Sequence, residues 1–374
     1  MNKEITIPVW GGNCTPFRLI ARDTDEWSVT VDEVNSMSYD STKLFRSSLD
    51  IDIGIAPLSL IVLFDGTMIL PRHPEIPKQR ALALFNQHST DLLLSGLFSG
   101  EILPDDVNAG RLNLWGYHRH DHPRGRYSRL SHALRTRKAD PDDAMILVDH
   151  KPLTALDYSK YQKAGSAVSQ VLPVSFASVF LPACTGFCNE EWERALILGW
   201  SSAELLISQL WDKYLVDGVA VDGITSKRRK SFLLDTRTWT SSTRIEMLWQ
   251  KEVIDAGLYA LLDRGRSVRN AFIHSASGCS PEDTKAVIEA VFRLIATIAL
   301  AEGRAFDANA RMLQLSKRTT TFGSPVADEN GRFFHEPKYW RYPDPAPGFD
   351  DWGDRPFEKI PDIQLHPLTS KDVP

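Results

Sequence analysis

Residues 280–303, SPEDTKAVIEAVFRLIATIALAEG, read as one complete helix with both ends written into the sequence. Ser280 offers its hydroxyl to the free backbone N–H groups of the first turn, and Pro281 suits the first helical position. Glu282 and Asp283 sit at the positive end of the helix dipole. Val287, Ala290, Val291, Leu294, Ile295 and Ile298 then recur at helical spacing until Gly303 stops the run. So broad an apolar face has to be buried against other helices, and the preceding chain supplies them. Residues 189–215 (NEEWERALILGWSSAELLISQLWDKYL) open on Asn189 as a cap, with Glu190 and Glu191 in the first turn. Trp192, Ala195, Leu196, Gly199, Ala203, Leu206, Leu210 and Tyr214 line one face. The basic run 227–230 (KRRK) opens a shorter helix, 243–256 gives another with Ile245, Leu248, Trp249 and Val253 inward, and 258–274 is the next. Helices joined by short connections predict an antiparallel bundle over residues 189–320.

Upstream of the bundle the period changes from helical to alternating. Residues 59–64 (SLIVLF), then Asp65-Gly66, then 67–70 (TMIL) predict a β-hairpin with a two-residue turn. Residues 27–31, 112–117 and 145–148 are further strand candidates. Between them, 78–94 carry Ala81, Leu84, Phe85, His88 and Leu92 at helical spacing. The fold class is therefore α+β: an N-terminal mixed domain over residues 1–150, a connector over 151–188, the bundle, and a tail over 321–374. Pro173 and Pro182 interrupt the helical pattern of the connector. The tail holds nine of the 22 prolines in its last fifty residues, with Phe333, Phe334, Tyr339, Trp340 and Trp352 among them. Such a segment is expected to lie extended across a surface of this protein or of a partner.

Composition narrows the function classes. At 374 residues, 43% hydrophobic and 24% charged, the chain is neither fibrous nor disordered, and its length suits two or three domains. A net charge of −5 excludes a wholesale nucleic-acid binder, so any such site is local. Cys14, Cys184, Cys188 and Cys279 are too scattered for a disulfide framework, which suits a reducing compartment. Residues 1–10 lack the pattern of a signal peptide. The apolar stretches 167–183 and 286–301 are broken by Gln170 and Pro173 and by Glu289 and Arg293, short of the ~18 residues a membrane span requires. A soluble cytoplasmic protein without a membrane partner is the expectation. Phosphate-loop, dinucleotide-binding and nucleophile-elbow glycine motifs are missing, so no cofactor is expected.

Within the bundle, residues 264–274 (RGRSVRNAFIH) are polar where a packing helix would be plain. Arg266, Asn270 and His274 are spaced i, i+4, i+8 and share one face, whereas Arg269 and His274, five apart, lie ~140° apart around a helix. Two copies of the helix across a two-fold axis bring the Arg269 of one and the His274 of the other onto a shared groove. Arginine supplies a permanent donor fork for phosphate, histidine a group that shuttles protons near neutral pH, and asparagine an orienting amide. Those are tools for breaking a phosphodiester.

The string RNAFIH at 269–274 resembles the RX4–6H motif of the HEPN superfamily, in which a polar residue directly follows the arginine. The resemblance covers residues 189–304, about a third of the chain. It implies an antiparallel helical bundle acting as a homodimer or higher oligomer. Many HEPN proteins are metal-independent ribonucleases of toxin–antitoxin and anti-phage systems. It further implies RNA as substrate, with His274 as general base or acid, Arg269 steadying the scissile phosphate and Asn270 orienting both, and 2′,3′-cyclic phosphate products. An inhibitor, antitoxin or activating partner would restrain such an enzyme. Glu204 resembles the acidic position that some members place opposite the motif, with Arg269 or Arg266 as its expected partner. The alternative the resemblance allows is a non-catalytic dimerisation or nucleotide-sensing module in a defence complex.

Charge around the motif offers two readings. Arg264, Arg266, Lys227, Arg228 and Arg229 would hold an RNA backbone, or simply form solvated helix ends. In the N-terminal half, residues 111–138 carry eight Lys or Arg against Asp121 alone. Arg119, Arg124, Arg126 and Arg129, interleaved with Trp115, Tyr117 and Tyr127, suit a nucleic acid or anionic trigger, or else balance acidic neighbours. His118, His120 and His122 alternate as they would on one strand face, an arrangement zinc or manganese accepts. No matching His or Asp pair follows downstream, so they are read as a polar strand end, and no metal is assigned.

Overall fold

A computed structural model of the chain describes residues 5–13, 18–21, 33, 38–138, 153–217 and 225–318, which belong to one compact unit of residues 1–319. The strand candidates at 27–31 and 145–148 and the tail from 321 lie outside the described residues.

The fold is α+β. Strands β1 (Thr6–Gly12), β3 (Ser47–Ile55), β4 (Leu58–Leu63), β5 (Met68–Pro71), β6 (Val107–Asn113) and β7 (His118–His120) form an antiparallel sheet in the order β3-β4-β5-β1-β6-β7. Two short strands, β2 (Ile20–Ala21) and β8 (Leu153–Thr154), pair in parallel apart from it. The sheet's two edges meet. Ser47 N–H donates to Gly116 O at 2.8 Å and His118 N–H to Phe45 O at 2.9 Å, flanking a bridge between Arg46 and Tyr117. Joining the edges removes exposed ladder groups that would otherwise template pairing with other chains.

Local chemistry explains the turns. The hairpin forms, but its loop is three residues rather than two: Gly66 N–H returns to Leu63 O and Leu63 N–H donates to Thr67 O, with Gly66 at φ 78°. A tight turn followed by a left-handed glycine is the usual three-residue solution. Of the strand expected at 112–117, Leu112 and Asn113 end β6, and 114–117 form the hairpin turn between β6 and β7. Asn113 Oδ1 accepts from Trp115 N–H at 3.0 Å and Tyr117 N–H at 2.9 Å, and Gly116 takes φ 81°. Central strand β1 tolerates Pro8 because its pairing with β5 begins only at Val9.

The helices are α1 (Ser41–Leu44), α2 (Lys78–Ser95), α3 (Arg126–Arg135), α4 (Ala155–Ser169), α5 (Ala177–Cys188), α6 (Trp192–Trp211), α7 (Thr225–Leu233), α8 (Ser241–Gln250), α9 (Ala256–Ser275), α10 (Pro281–Ala301) and α11 (Ala308–Ser316). The connector thus consists of α4 and α5, with Pro182 inside α5 and Pro173 in the break before it. Asn189 does not cap α6. It ends α5, its N–H bonded to Thr185 O, and Glu190 at φ 62° turns the chain so that Glu191 opens α6. The capping box of α10 is present as the sequence predicts, Ser280 Oγ accepting from Asp283 N–H at 3.1 Å. Trp249, expected inward, is 41% exposed and leans on Tyr259 at 5.1 Å between ring centroids.

Two cores share helix α2. Its Ala81, Phe85 and Leu92 pack on the sheet with Leu60, Val62, Met68 and Leu70, while Leu93 and Leu94 join the bundle core of α5, α6 and α10. Close backbone approach fixes the crossings. A Cβ at Gly165 of α4 would overlap the carbonyl oxygen of Asp91 on α2, and one at Gly265 of α9 would stand 2.7 Å from Val287 Cγ2 on α10. Gly165→Ala is therefore expected to destabilise the fold by about 1–3 kcal/mol in urea unfolding, the usual cost of overpacking. Gly278→Ala, whose Cβ meets nothing within 4 Å, should stay within about 0.5 kcal/mol of wild type. Equal effects would mean that the α2–α4 crossing is not set by Gly165.

Candidate active site

Helix α9 is anchored at its start and free at its end. Asp255 caps it, accepting from Leu258 N–H at 2.8 Å and from Arg293 Nη2 of α10 at 2.7 Å. Leu258, Leu262 and Gly265 are buried, Gly265 against Val287 and Trp200. Beyond Gly265 no residue of the helix is buried; Val268 and Phe272 rest on the core and Ile273 is exposed. The helix ends at Ala276, a left-handed residue at φ 49° whose N–H returns to Phe272 O. Arg269, Asn270 and His274 thus occupy the last, outward turns.

The charges of this helix are sorted. Arg264 is held by Asp283, Nε at 2.8 Å and Nη2 at 2.7 Å, and Arg266 by Asp263 at 2.8 Å. Arg269 alone among the helix's three arginines has no carboxylate among the described residues; its Nη1 donates to Asn270 Oδ1 at 3.0 Å. His274 is exposed and has no hydrogen-bond partner among the described residues. The pairing leaves one guanidinium and one imidazole available for a ligand and takes Arg264 and Arg266 out of the unpaired set. Within one chain the two remain ~140° apart around the helix. No protein-family model, curated protein or solved structure matches the chain.

The other residues singled out in the sequence fall in separate places. Glu204 on α6 is met not by Arg269 or Arg266 but by Ser241 Oγ, at 2.9 Å from the first residue of α8. A hydroxyl needs less desolvation than a guanidinium, so a half-buried carboxylate is satisfied cheaply there. On α7, Lys227 and Arg228 are exposed and border an open hollow with Phe232 and Asp235, whereas Arg229 reaches Leu215 O and Lys230 pairs with Asp217 at 3.3 Å. Burial pushes the Cys188 thiol up to about 12 and the Cys184 thiol well above its ordinary range, so neither is a nucleophile.

In the N-terminal half the basic stretch divides. Arg119, Arg124, Arg126 and Arg129 are exposed. Arg135 is buried and is the hub of a polar network that sequence reading missed. Its Nε donates to Asp65 Oδ2 at 2.6 Å, Nη2 to Thr67 Oγ1 at 2.8 Å and Nη1 to His118 Nδ1 at 3.0 Å, and Ser131 Oγ adds a bond to Asp65 at 2.9 Å. A guanidinium only donates, so His118 Nδ1 accepts and its Nε2 carries the proton. The Arg135 guanidinium holds the Asp65 carboxyl below its ordinary range against the opposing effect of burial. The sequence showed Asp65 beside a turn glycine, His118 on a strand and Arg135 within the basic stretch, but nothing that joined them.

His118 and His120 do share a face, as alternation on a strand requires, with rings 4.5 Å apart and edge-to-face. They stand over Gly11 and Gly110, where a Cβ would collide with the His118 ring. His122 lies beyond the strand and is exposed. Among the described residues no three His, Cys, Asp or Glu side chains gather as a metal-binding group.

Buried neutral imidazoles make this half acid-sensitive. Burial lowers His88 to about 4 and, with the Arg135 charge beside it, His120 to about 3, while His118 falls well below its ordinary value for the same reasons. Unfolded histidines take up protons near pH 6.5 and these do not, so stability present at neutral pH is lost as pH falls below ~6.5, by about 1.4 kcal/mol per unit for each site. Asp91 acts in the opposite sense: burial raises it to about 6, so it favours the fold as pH drops from 6 towards 4, and one carboxylate offsets only one imidazole. His120→Leu removes a group whose ring nitrogens have no hydrogen-bond partner among the described residues, so the variant should lose less stability than wild type between pH 6.5 and 4.5 in urea unfolding. Parallel pH profiles would contradict the assignment.

Proposed function

We propose that this chain is a HEPN-type endoribonuclease that cuts RNA phosphodiesters at a site assembled by two copies, without a metal ion, in anti-phage defence or as the toxin of a toxin–antitoxin pair. The observation that carries the reading is the state of Arg269: a half-buried guanidinium without a carboxylate among the described residues, braced by Asn270, on helical turns that also present the exposed His274. A free guanidinium fork matches the oxygens of a phosphate, and its charge grows in value as the transition state gathers negative charge. The imidazole takes the proton of the ribose 2′-hydroxyl or returns one to the leaving 5′-oxygen, leaving a 2′,3′-cyclic phosphate. Since one helix holds the two groups on different faces, the second copy supplies the missing partner, and Ile273 beside them is an apolar contact for it. Restraint by an inhibitor or activating partner fits an enzyme of this kind.

The test is cleavage of total RNA by the purified chain in excess EDTA. His274→Ala and Arg269→Ala should each reduce cleavage by at least a hundredfold, the scale at which general acid–base and oxyanion groups act. The thermal unfolding of both variants should be unchanged, since both side chains lie outside the core. A wild-type chain that leaves RNA intact, or variants that cut as fast as wild type, would leave only the non-catalytic bundle.

A further inference from the structure

On the edge of the sheet, Arg111 of β6 and Arg119 of β7 are direct cross-strand partners. Like charges placed opposite each other on one face weaken a ladder unless an anion lies between them. Among the described residues one carboxylate answers the two: Asp121 lies 3.5 Å from Arg111, whose side chain is 66% exposed, and Arg119 has no ion-pair partner. These three residues line a cleft of about 670 Å³ whose apolar wall is Phe45 and Tyr117, rings 5.7 Å apart and edge-to-face. The wall is fixed in place, because the backbone bonds that join the sheet's edges run through Phe45, and Tyr117 bridges Arg46. His120 closes the same cleft as a neutral ring, adding surface without charge.

We propose that this cleft binds a nucleotide: a phosphate ester held between Arg111 and Arg119, carrying a planar base that stacks on Tyr117 and Phe45. Two guanidinium forks on adjacent strands satisfy a dianionic phosphate better than a carboxylate does, because its oxygens accept from both at once. Asp121 is the internal competitor that occupies Arg111 when the ligand is gone. An aromatic wall beside a phosphate site selects for a base, since stacking holds any nucleobase by its face. The same chemistry is offered by a free nucleotide and by the phosphorylated end of a nucleic acid. The proposal rests on the sheet edge alone and not on the nuclease reading.

Isothermal titration of the full chain tests it, with 5′-AMP, inorganic phosphate, adenosine, and a deoxytrinucleotide bearing or lacking a 5′-phosphate. The expected result is binding of 5′-AMP at least tenfold tighter than of phosphate or adenosine alone. Arg119→Gln should weaken 5′-AMP by tenfold or more. Tyr117→Leu should weaken it severalfold while leaving inorganic phosphate unchanged. Asp121→Asn should tighten it, a gain that misfolding cannot produce. Tighter binding of the phosphorylated trinucleotide than of 5′-AMP assigns a strand end, and the reverse assigns a free nucleotide. No binding of any probe at millimolar concentration, wild-type affinity in Arg119→Gln, or no gain in Asp121→Asn overturns the proposal.

Discussion

An α-helix turns about 100° per residue, and that constraint governs everything proposed for α9. Five residues separate Arg269 from His274, so the helix that carries both keeps them on different faces. Nothing in the local packing relaxes this: α9 is anchored on α10 at Gly265 and Asp255, and its last turns are regular up to the left-handed Ala276. A site needing both groups at one phosphate is completed from outside the chain. Val268 and Phe272 hold one side of these turns on the core, and the exposed Ile273 and His274 leave room for it on the other.

Charge pairing supplies the selection among the cations. Arg264 stitches α9 to the capping box of α10, and Arg266 pairs along its own helix, so each has a structural use. In the N-terminal half the same logic separates Arg135, sunk against Asp65, from Arg119, which faces a cleft without a counter-ion among the described residues. Breaking a buried pair such as Arg135–Asp65 by removing one partner leaves an unpaired charge and costs several kcal/mol, about 3–5. An exposed ion pair is worth about 1 kcal/mol or less, so Asp121 is readily displaced from Arg111.

How much of this was legible in the sequence follows from how local each signal is. The capping box at Ser280 and the helical period after it are written within a few residues, and α10 forms as read. Helices α2 and α9 were legible for the same reason, and so was the hairpin around Asp65-Gly66, whereas α8 stops at Gln250, six residues before the expected end. Non-local features were not. Strand β1, with Pro8 and two glycines, has no strand-like pattern, because those glycines exist to admit Phe85 and the His118 ring, residues brought there by the fold. Residues 114–117 were read as a continuing strand yet turn, since Asn113 spends its side chain on the turn's backbone. Arg135 looked like one more cation in a basic stretch until the fold placed it beside Asp65. Arg269, Asn270 and His274 were visible as residue types at a spacing, while the pairing that distinguishes Arg269 from its neighbours depends on Asp283, nineteen residues after Arg264 in the chain.

The central claim is that the catalytic pair is split between two copies of the chain, and subunit complementation tests it most directly. Arg269→Ala and His274→Ala chains, each inactive alone, are mixed under conditions that exchange subunits, and RNA cleavage is followed. In mixed dimers one site regains an intact arginine from one subunit and an intact histidine from the other. The account predicts recovery towards about a quarter of wild-type activity at equal mixing, the statistical share of restored sites. A mixture that exchanges subunits yet stays as inactive as its parents would contradict it.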